Sequence, residues 1–299
     1  MSNSSAAVRP RRSVIYMPSS NARALEKAKT LAADGLIFDL EDAVASDAKA
    51  SARSAAVNAT KSGAYGKREV LIRANALDTE WGDEDVKAIA ASGAHGIVIP
   101  KVSDPETVRD VDAALRSAGA PDDLKIWAMM ETPKGIINAP QIAASCKRLA
   151  GLIVGTADLA KDLHCAHPAD RWPMLFALQA CILAARANGL FALDGVHVDL
   201  HDEAGFESAC RQGRDLGFDG KTLIHPKQIA GANTAFAPSQ QDVERAKRLV
   251  AAHKDAAASG QGVTVVDGKL VEGLHVREAE RLIAAAEMIA ALESENSAN

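Results

Sequence analysis

The sequence predicts an α/β fold, a TIM (β/α)8 barrel followed by a C-terminal helical and hairpin lid extension. Three observations carry that expectation. Eight short apolar runs alternate with helix-like stretches on a period of about 30 residues, the length of a βα repeat. The runs are continuous rather than alternating, as strands buried on both faces are. No Gly-rich phosphate loop follows the first run, where MPSSN (17–21) stands, and eight strands exceed what the competing doubly wound sheet usually has.

In chain order, SVIYM (13–17) reads as the first strand and NARALEKAKTLAA (21–33) as the helix after it. GLIFDL (35–40) precedes the helix-like DAKASARSAAVNAT (47–60), and EVLIRAN (69–75) precedes DEDVKAIAAS (83–92). HGIVIPK (95–101) leads into DPETVRDVDAALRSA (104–118), where Asp-Pro is a helix-start signal. KIWAMM (125–130) and GLIVGT (151–156) are the fifth and sixth runs, joined by PKGIINAPQIAAS (133–145), which has the spacing of one crossover helix. The long helix PMLFALQACILAARANG (173–189), the strand LFALDGV (190–196), the helix DEAGFESACRQGRDLG (202–217) and the strand DGKTLIHP (219–226) complete the circuit. The barrel domain is therefore placed at 12–236. The extension, 237–299, contains the helix-like 239–259, a VTVVDGKLVEG hairpin (263–273) with an Asp-Gly turn, and a last helix over 275–292. A barrel closes without it, so it is expected to cover an active site.

Bulk properties exclude several classes. With 47% hydrophobic and 24% charged residues the chain is globular, and six Phe, three Trp and two Tyr leave its core to Ala, Leu, Ile and Val. A net charge of −5 gives no footprint for nucleic acid, and Arg9, Arg11 and Arg12 read as a solvated leader. No apolar run approaches a membrane span, and MSNSSAAVRPRR has no signal-peptide core. Cys146, Cys165, Cys181 and Cys210 show no CxxC spacing, so a reduced, cytoplasmic protein is expected.

In a barrel, chemistry gathers at the C-terminal ends of the strands. Those ends carry Pro18 and Ser19; Asp39, Glu41 and Asp42; Arg73 and Asn75; Pro100 and Lys101; Glu131 and Thr132; Asp158; Asp194; His225 and Pro226. Glu131 and Asp158, following consecutive strands, offer two oxygen ligands that suit Mg²⁺, although each could instead cap the helix after it. Arg73 ends an apolar strand, where a guanidinium needs an anionic partner: a substrate carboxylate, or the acidic DLED (39–42) segment. His197 and His201 in HVDLHDE, and His164, Cys165 and His167 in DLHCAH, read as loop residues. The HEXXH glutamate is missing.

RSVIYMPSSNARALEKA, LIFDLEDAV, METPKGI, GTADLA and DGKTLIHPKQI, in this order from about Arg12 to Ala285, resemble the citrate lyase beta-subunit-like proteins of the HpcH/HpaI aldolase and citrate lyase superfamily. The resemblance implies a TIM barrel and Mg²⁺ dependence, with Mn²⁺ as the substitute. It also implies carbon–carbon bond making or breaking between an acyl-CoA and a 2-oxo acid, in a homotrimer or hexamer. By position, Glu131 and Asp158 match the metal ligands and Arg73 the arginine on substrate oxygens. Asp39, Glu41 and Asp42 match an acidic group near the metal-bound waters, and Ala157 joins the substrate contacts. Arg23 and Lys27 fall where the family contacts the CoA phosphates; Ile224, His225 and Pro226 fall along the thioester arm.

Two positions depart from the pattern. Ser19 replaces a glycine in the loop after the first strand. Glu272, in GKLVEG, replaces the catalytic lid aspartate that reaches a neighbouring subunit's site. The resemblance thus makes Glu272, Arg73 and Asp39 the catalytic set and malyl-CoA, β-methylmalyl-CoA or citramalyl-CoA the expected substrates. A malyl-CoA thioesterase on the same scaffold and a citrate lyase beta subunit acting on a carrier-bound thioester are the alternatives. A paralogue that binds CoA without catalysis is the non-enzyme reading.

Overall fold

A computed structural model of the chain describes residues 9–258 and 263–298. Eight strands close into a parallel barrel in chain order: β1 (Ser13–Pro18), β2 (Gly35–Asp39), β3 (Glu69–Arg73), β4 (Gly96–Ile99), β5 (Lys125–Met130), β6 (Leu149–Val154), β7 (Phe191–Asp194) and β8 (Gly220–Leu223). β8 pairs back onto β1 through Ser13 and Lys221. The helices between them are α1 (Ala22–Ala28), α2 (Lys49–Lys61), α3 (Gly82–Ala90), α4 (Pro105–Ser117), α5 (Pro133–Ile137), α6 (Ala139–Ala143), α7 (Thr156–Asp162), α8 (Leu175–Ala187), α9 (Glu203–Leu216) and α10 (Ile229–Phe236).

Period-two alternation along the strands divides the core in two. Val14, Ile37, Leu71, Trp127, Ile153 and Leu193 pack on one another inside the barrel. Their neighbours Ile15, Leu36, Ile72, Ala128, Leu152 and Ala192 face outward into the helices. Gly151 makes the interior possible, because a Cβ there would stand 2.2 Å from the Trp127 ring.

Local chemistry sets several element ends. Asp104 caps α4 by accepting the Thr107 N–H at 3.0 Å, with Pro105 at the first helical position. The single crossover helix expected over 133–145 is two: Asn138 and Pro140 interrupt it, leaving α5 and α6 of five residues each. The first helix ends at Ala28 rather than 33, since the Leu31 and Ala32 carbonyls are taken by Arg68 Nε (2.7 Å) and Asn233 Nδ2 (2.8 Å).

The solvated basic leader requires correction. Arg11 and Arg12 are 9% and 4% exposed. Arg11 binds Glu69 through Nε (2.5 Å) and Nη2 (2.7 Å) and lies 4.0 Å over the Phe191 ring. Arg12 grips Asp34 through Nε and Nη2, both at 2.9 Å. Their carboxylate partners lie 58 residues away for Arg11 and 22 for Arg12, which no local pattern displays. The leader positions 1–8 lie outside the described residues.

The chain divides into two compact units. The first is Arg11–Phe236. The second holds the described residues after Phe236 together with Arg9 and Pro10. It contains α11 (Gln240–Ala258), the antiparallel hairpin β9 (Thr264–Val266) and β10 (Lys269–Val271), and α12 (Gly273–Ala298). Asp267 and Gly268 at the hairpin turn have φ of 51° and 74°, the left-handed pair that an Asp-Gly turn supplies. Ala246, Val250, Val271, Val276 and Ala279 form this unit's own small core. Position 259 of the expected helix 239–259 lies outside the described residues. No helix among the described residues is long and apolar enough to cross a membrane.

Candidate active site

A cavity of about 410 Å³ opens at the C-terminal end of the barrel, lined by Tyr16, Asp39, Arg73, Glu131, Ala157 and Asp158 among others. Strand ends deliver most of this set. Asp39 and Arg73 are the last residues of β2 and β3 and pair in register. Glu131 follows β5 directly, whereas Asp158 sits in the first turn of α7, four residues beyond β6.

Arg73 is the electrostatic centre. Its Nε and Nη2 each lie 2.7 Å from an Asp39 oxygen, a bidentate fork buried to 8% and 1% side-chain exposure. Nη1 lies 2.8 Å from Glu41 and 3.3 Å from Asp42. The DLED partner foreseen for Arg73 is thus present, and its planar fork faces Asp39. Burial alone would raise the Asp39 carboxyl, but Arg73's hydrogen bonds and charge hold it below the usual carboxylate range. Burial wins at Glu41, whose pKa rises despite Arg73 and Lys101 beside it.

Glu131 is 2% exposed. Its Oε1 accepts the Lys101 N–H at 2.7 Å. Burial pushes its carboxyl up to about 7, and the Glu41 and Asp158 carboxylates add to the rise against Lys101 and Arg73. Gly155 sets this position, because a Cβ there would stand 2.3 Å from Glu131 Oε2.

Five carboxylates (Asp39, Glu41, Asp42, Glu131 and Asp158) are thus gathered around two cations, Arg73 and Lys101. The buried Lys49 ammonium also interacts with Asp39, Glu41 and Asp42, which leaves a formal excess of two negative charges. Hard oxygen donors, a surplus of negative charge and a carboxyl whose charged form is disfavoured by burial and by nearby carboxylates are what a divalent cation corrects, so the residues fit Mg²⁺. Glu131 and Asp158, the pair expected from the sequence to hold the ion, both line this cavity. No cluster of three or more His, Cys, Asp or Glu side chains arranged to hold a metal by themselves occurs among the described residues, so the remaining positions would fall to water and substrate.

Other foreseen residues are placed elsewhere. Asp194 does not join the rim. It is fully buried and accepts from Arg171 (2.5 Å), Lys221 (3.0 Å) and the Gly195 N–H (2.8 Å). Asn75 likewise turns inward to Asp85 and Lys49. Ile224 lines the cavity, while His225 and Pro226 are exposed, His225 Nδ1 accepting the Lys227 N–H at 3.2 Å. Arg23 and Lys27 are exposed on α1. Ser19 is 1% exposed and has no left-handed φ, so serine stands in the glycine's place without backbone strain. His197 and His201 lie in the loop before α9. Glu272 is exposed at the end of β10 in the second unit, where its N–H donates to His275 Nδ1 at 3.0 Å.

Two residues escaped the sequence reading in their present roles. Lys101 has φ 51°, an uncommon conformation for a side chain with a Cβ. It aims its N–H at Glu131 and its ammonium at Glu41, 2.9 Å away. Lys49, 6% exposed, donates to the Leu40 and Glu41 carbonyls and to Asn75, which pins the acidic loop. The PK dipeptide after the fourth run and the lone lysine after DLED were their only local traces.

With this geometry in place, the chain can be compared with known proteins. It is 51% identical over 282 residues to a (3S)-malyl-CoA thioesterase of Cereibacter sphaeroides, covering 94% of this chain and 96% of the relative. It is 35% identical over 285 residues to the citrate lyase subunit beta of Escherichia coli, covering 94% of each. The structure of CitE from Mycobacterium tuberculosis in complex with magnesium, acetoacetate and coenzyme A superposes with a TM-score of 0.73 at 28% identity, covering 94% of this chain and 99% of that one. Residues 12–226 match the family described as HpcH/HpaI aldolase/citrate lyase: this chain belongs to the HpcH/HpaI aldolase/citrate lyase family.

Proposed function

We propose that this chain is a Mg²⁺-dependent acyl-CoA enzyme whose substrate is (3S)-malyl-CoA or a closely similar 3-hydroxyacyl thioester. The observation that carries this reading is the surplus of carboxylates converging on one cavity beside a clamped arginine. The 51% identity to a (3S)-malyl-CoA thioesterase and the magnesium and coenzyme A named for the CitE structure support it.

Glu131 and Asp158 hold the metal in this reading, which when bound supplies a Lewis acid that polarises substrate oxygens. Arg73, kept charged and oriented by Asp39, offers a preorganised positive field to the oxygen that gains charge. Ala157 lines the acyl end of the site. Ile224, His225 and Pro226 take the thioester arm, and Arg23 and Lys27 the CoA phosphates. Glu272 acts as the base, delivered from the second unit of a neighbouring subunit in a trimer or hexamer.

Thioester hydrolysis is the first reading, because the relative at 51% identity carries that name. Water adds to the thioester carbonyl, the C–S bond breaks, and malate and CoA leave. Carbon–carbon cleavage is the second, favoured by the family match and by the citrate lyase relatives. There the 3-hydroxyl loses its proton, the bond between C2 and C3 breaks, and protonation at C2 gives acetyl-CoA beside glyoxylate. Chromatography of (3S)-malyl-CoA incubated with enzyme and Mg²⁺ separates them. Malate with CoA supports hydrolysis and acetyl-CoA with glyoxylate supports cleavage. Neither pair above the enzyme-free rate overturns the proposal.

A further inference from the structure

The donors lining the cavity divide unevenly. Arg73 spends Nε and Nη2 on Asp39, and its Nη1 stands against Glu41 and Asp42. Thr156 and Thr222 donate to the Val196 and Asp194 carbonyls at 3.5 and 2.9 Å. The Tyr16 hydroxyl instead has a thioether, Met129 Sδ at 3.7 Å. Sulfur is a weak acceptor, so a phenol in this environment keeps most of its donor capacity in reserve. Its place is nevertheless fixed. Tyr16 belongs to β1, and the Arg73 guanidinium stacks 4.8 Å over its ring.

The need for such a donor follows from the charge of the site. A substrate carboxylate entering beside these protein carboxylates gains from every protonated group that faces it, in addition to a bound ion, and Arg73's fork is already occupied. Burial, reinforced by Glu131, Asp39 and Glu41 against the opposing charge of Arg73, holds the phenol proton on well above the usual range, so Tyr16 remains a donor.

We propose that the Tyr16 hydroxyl donates to the distal carboxylate of the acyl group and selects thioesters that carry one. This inference rests on the substrate reading above. Tyr16→Phe keeps the ring and its stacking and removes only the donor. The expected result is a rise of at least about tenfold in KM for (3S)-malyl-CoA, the low end of one hydrogen bond to a charged group. The inhibition constant of 3-hydroxybutyryl-CoA, which has a methyl in place of that carboxylate, should move less than about twofold on the same scale. The thermal midpoint of the variant should match that of the wild type. Equal losses for both thioesters, or no loss for malyl-CoA, overturn the inference while leaving the substrate reading intact. A wild-type enzyme that neither binds nor converts malyl-CoA overturns both.

Discussion

On the β2–β3 side of the barrel, one buried arginine is surrounded by three carboxylates, with Glu131 and Asp158 close by. On the β7–β8 side the arrangement is inverted: one buried carboxylate, Asp194, is held by Arg171 and Lys221. The surplus charge of the second cluster is absorbed locally. Lys221 also donates to the Gly195 carbonyl at 2.5 Å, and Arg171 to Gln212 at 2.8 Å and the Ala209 carbonyl at 3.3 Å. The first cluster opens on a cavity with its negative excess uncompensated. Both use the same interactions at the same end of the barrel. In the proposed reading the first cluster serves binding and catalysis, and the second holds the strand ends together.

Substitutions can break this comparison. Glu131→Gln, nearly isosteric, should abolish Mg²⁺-dependent turnover, by at least about 10³-fold, as the loss of several kcal/mol of Lewis-acid stabilisation requires. Its thermal midpoint should stay at or above that of the wild type, because a carboxyl whose charged form is disfavoured first by burial and then by Glu41 and Asp158 is removed. Asp194→Ala should do the reverse. Leaving Arg171 and Lys221 buried without their carboxylate costs about 3–5 kcal/mol of stability, visible as a lower denaturant midpoint, while any folded fraction retains Mg²⁺ dependence. A turnover loss in Asp194→Ala larger than its loss of folded protein would move that cluster into the site. Glu272→Ala is expected to lower turnover by roughly 10²-fold, the low end of general acid–base contributions, without shifting metal affinity. Full activity would place the base elsewhere.

The two clusters also show what sequence can and cannot display. The strands, the Asp104 cap, the Asp-Gly hairpin and the end positions of Asp39, Arg73 and Glu131 were readable, because periodicity and capping are local. Asp194 was read as a rim residue because its strand-end position looks like that of Asp39. Only the inward reach of Lys221, 27 residues later, and of Arg171, 23 residues earlier, turns it away from the cavity. Arg11 and Arg12 failed for the same reason, since their carboxylates are distant in sequence. Lys101 was visible as a residue, but its left-handed φ and its grip on both Glu131 and Glu41 exist only in the closed barrel. Local signals placed the elements, and side-chain partners across the barrel decided which strand-end charges face the cavity.

Calorimetric titration of Mg²⁺ into the full chain in the presence of glyoxylate tests the central assignment most directly. The wild type and Asp194→Asn should both bind the ion, and Glu131→Gln should show no saturable heat. Equal binding by Glu131→Gln would contradict the account.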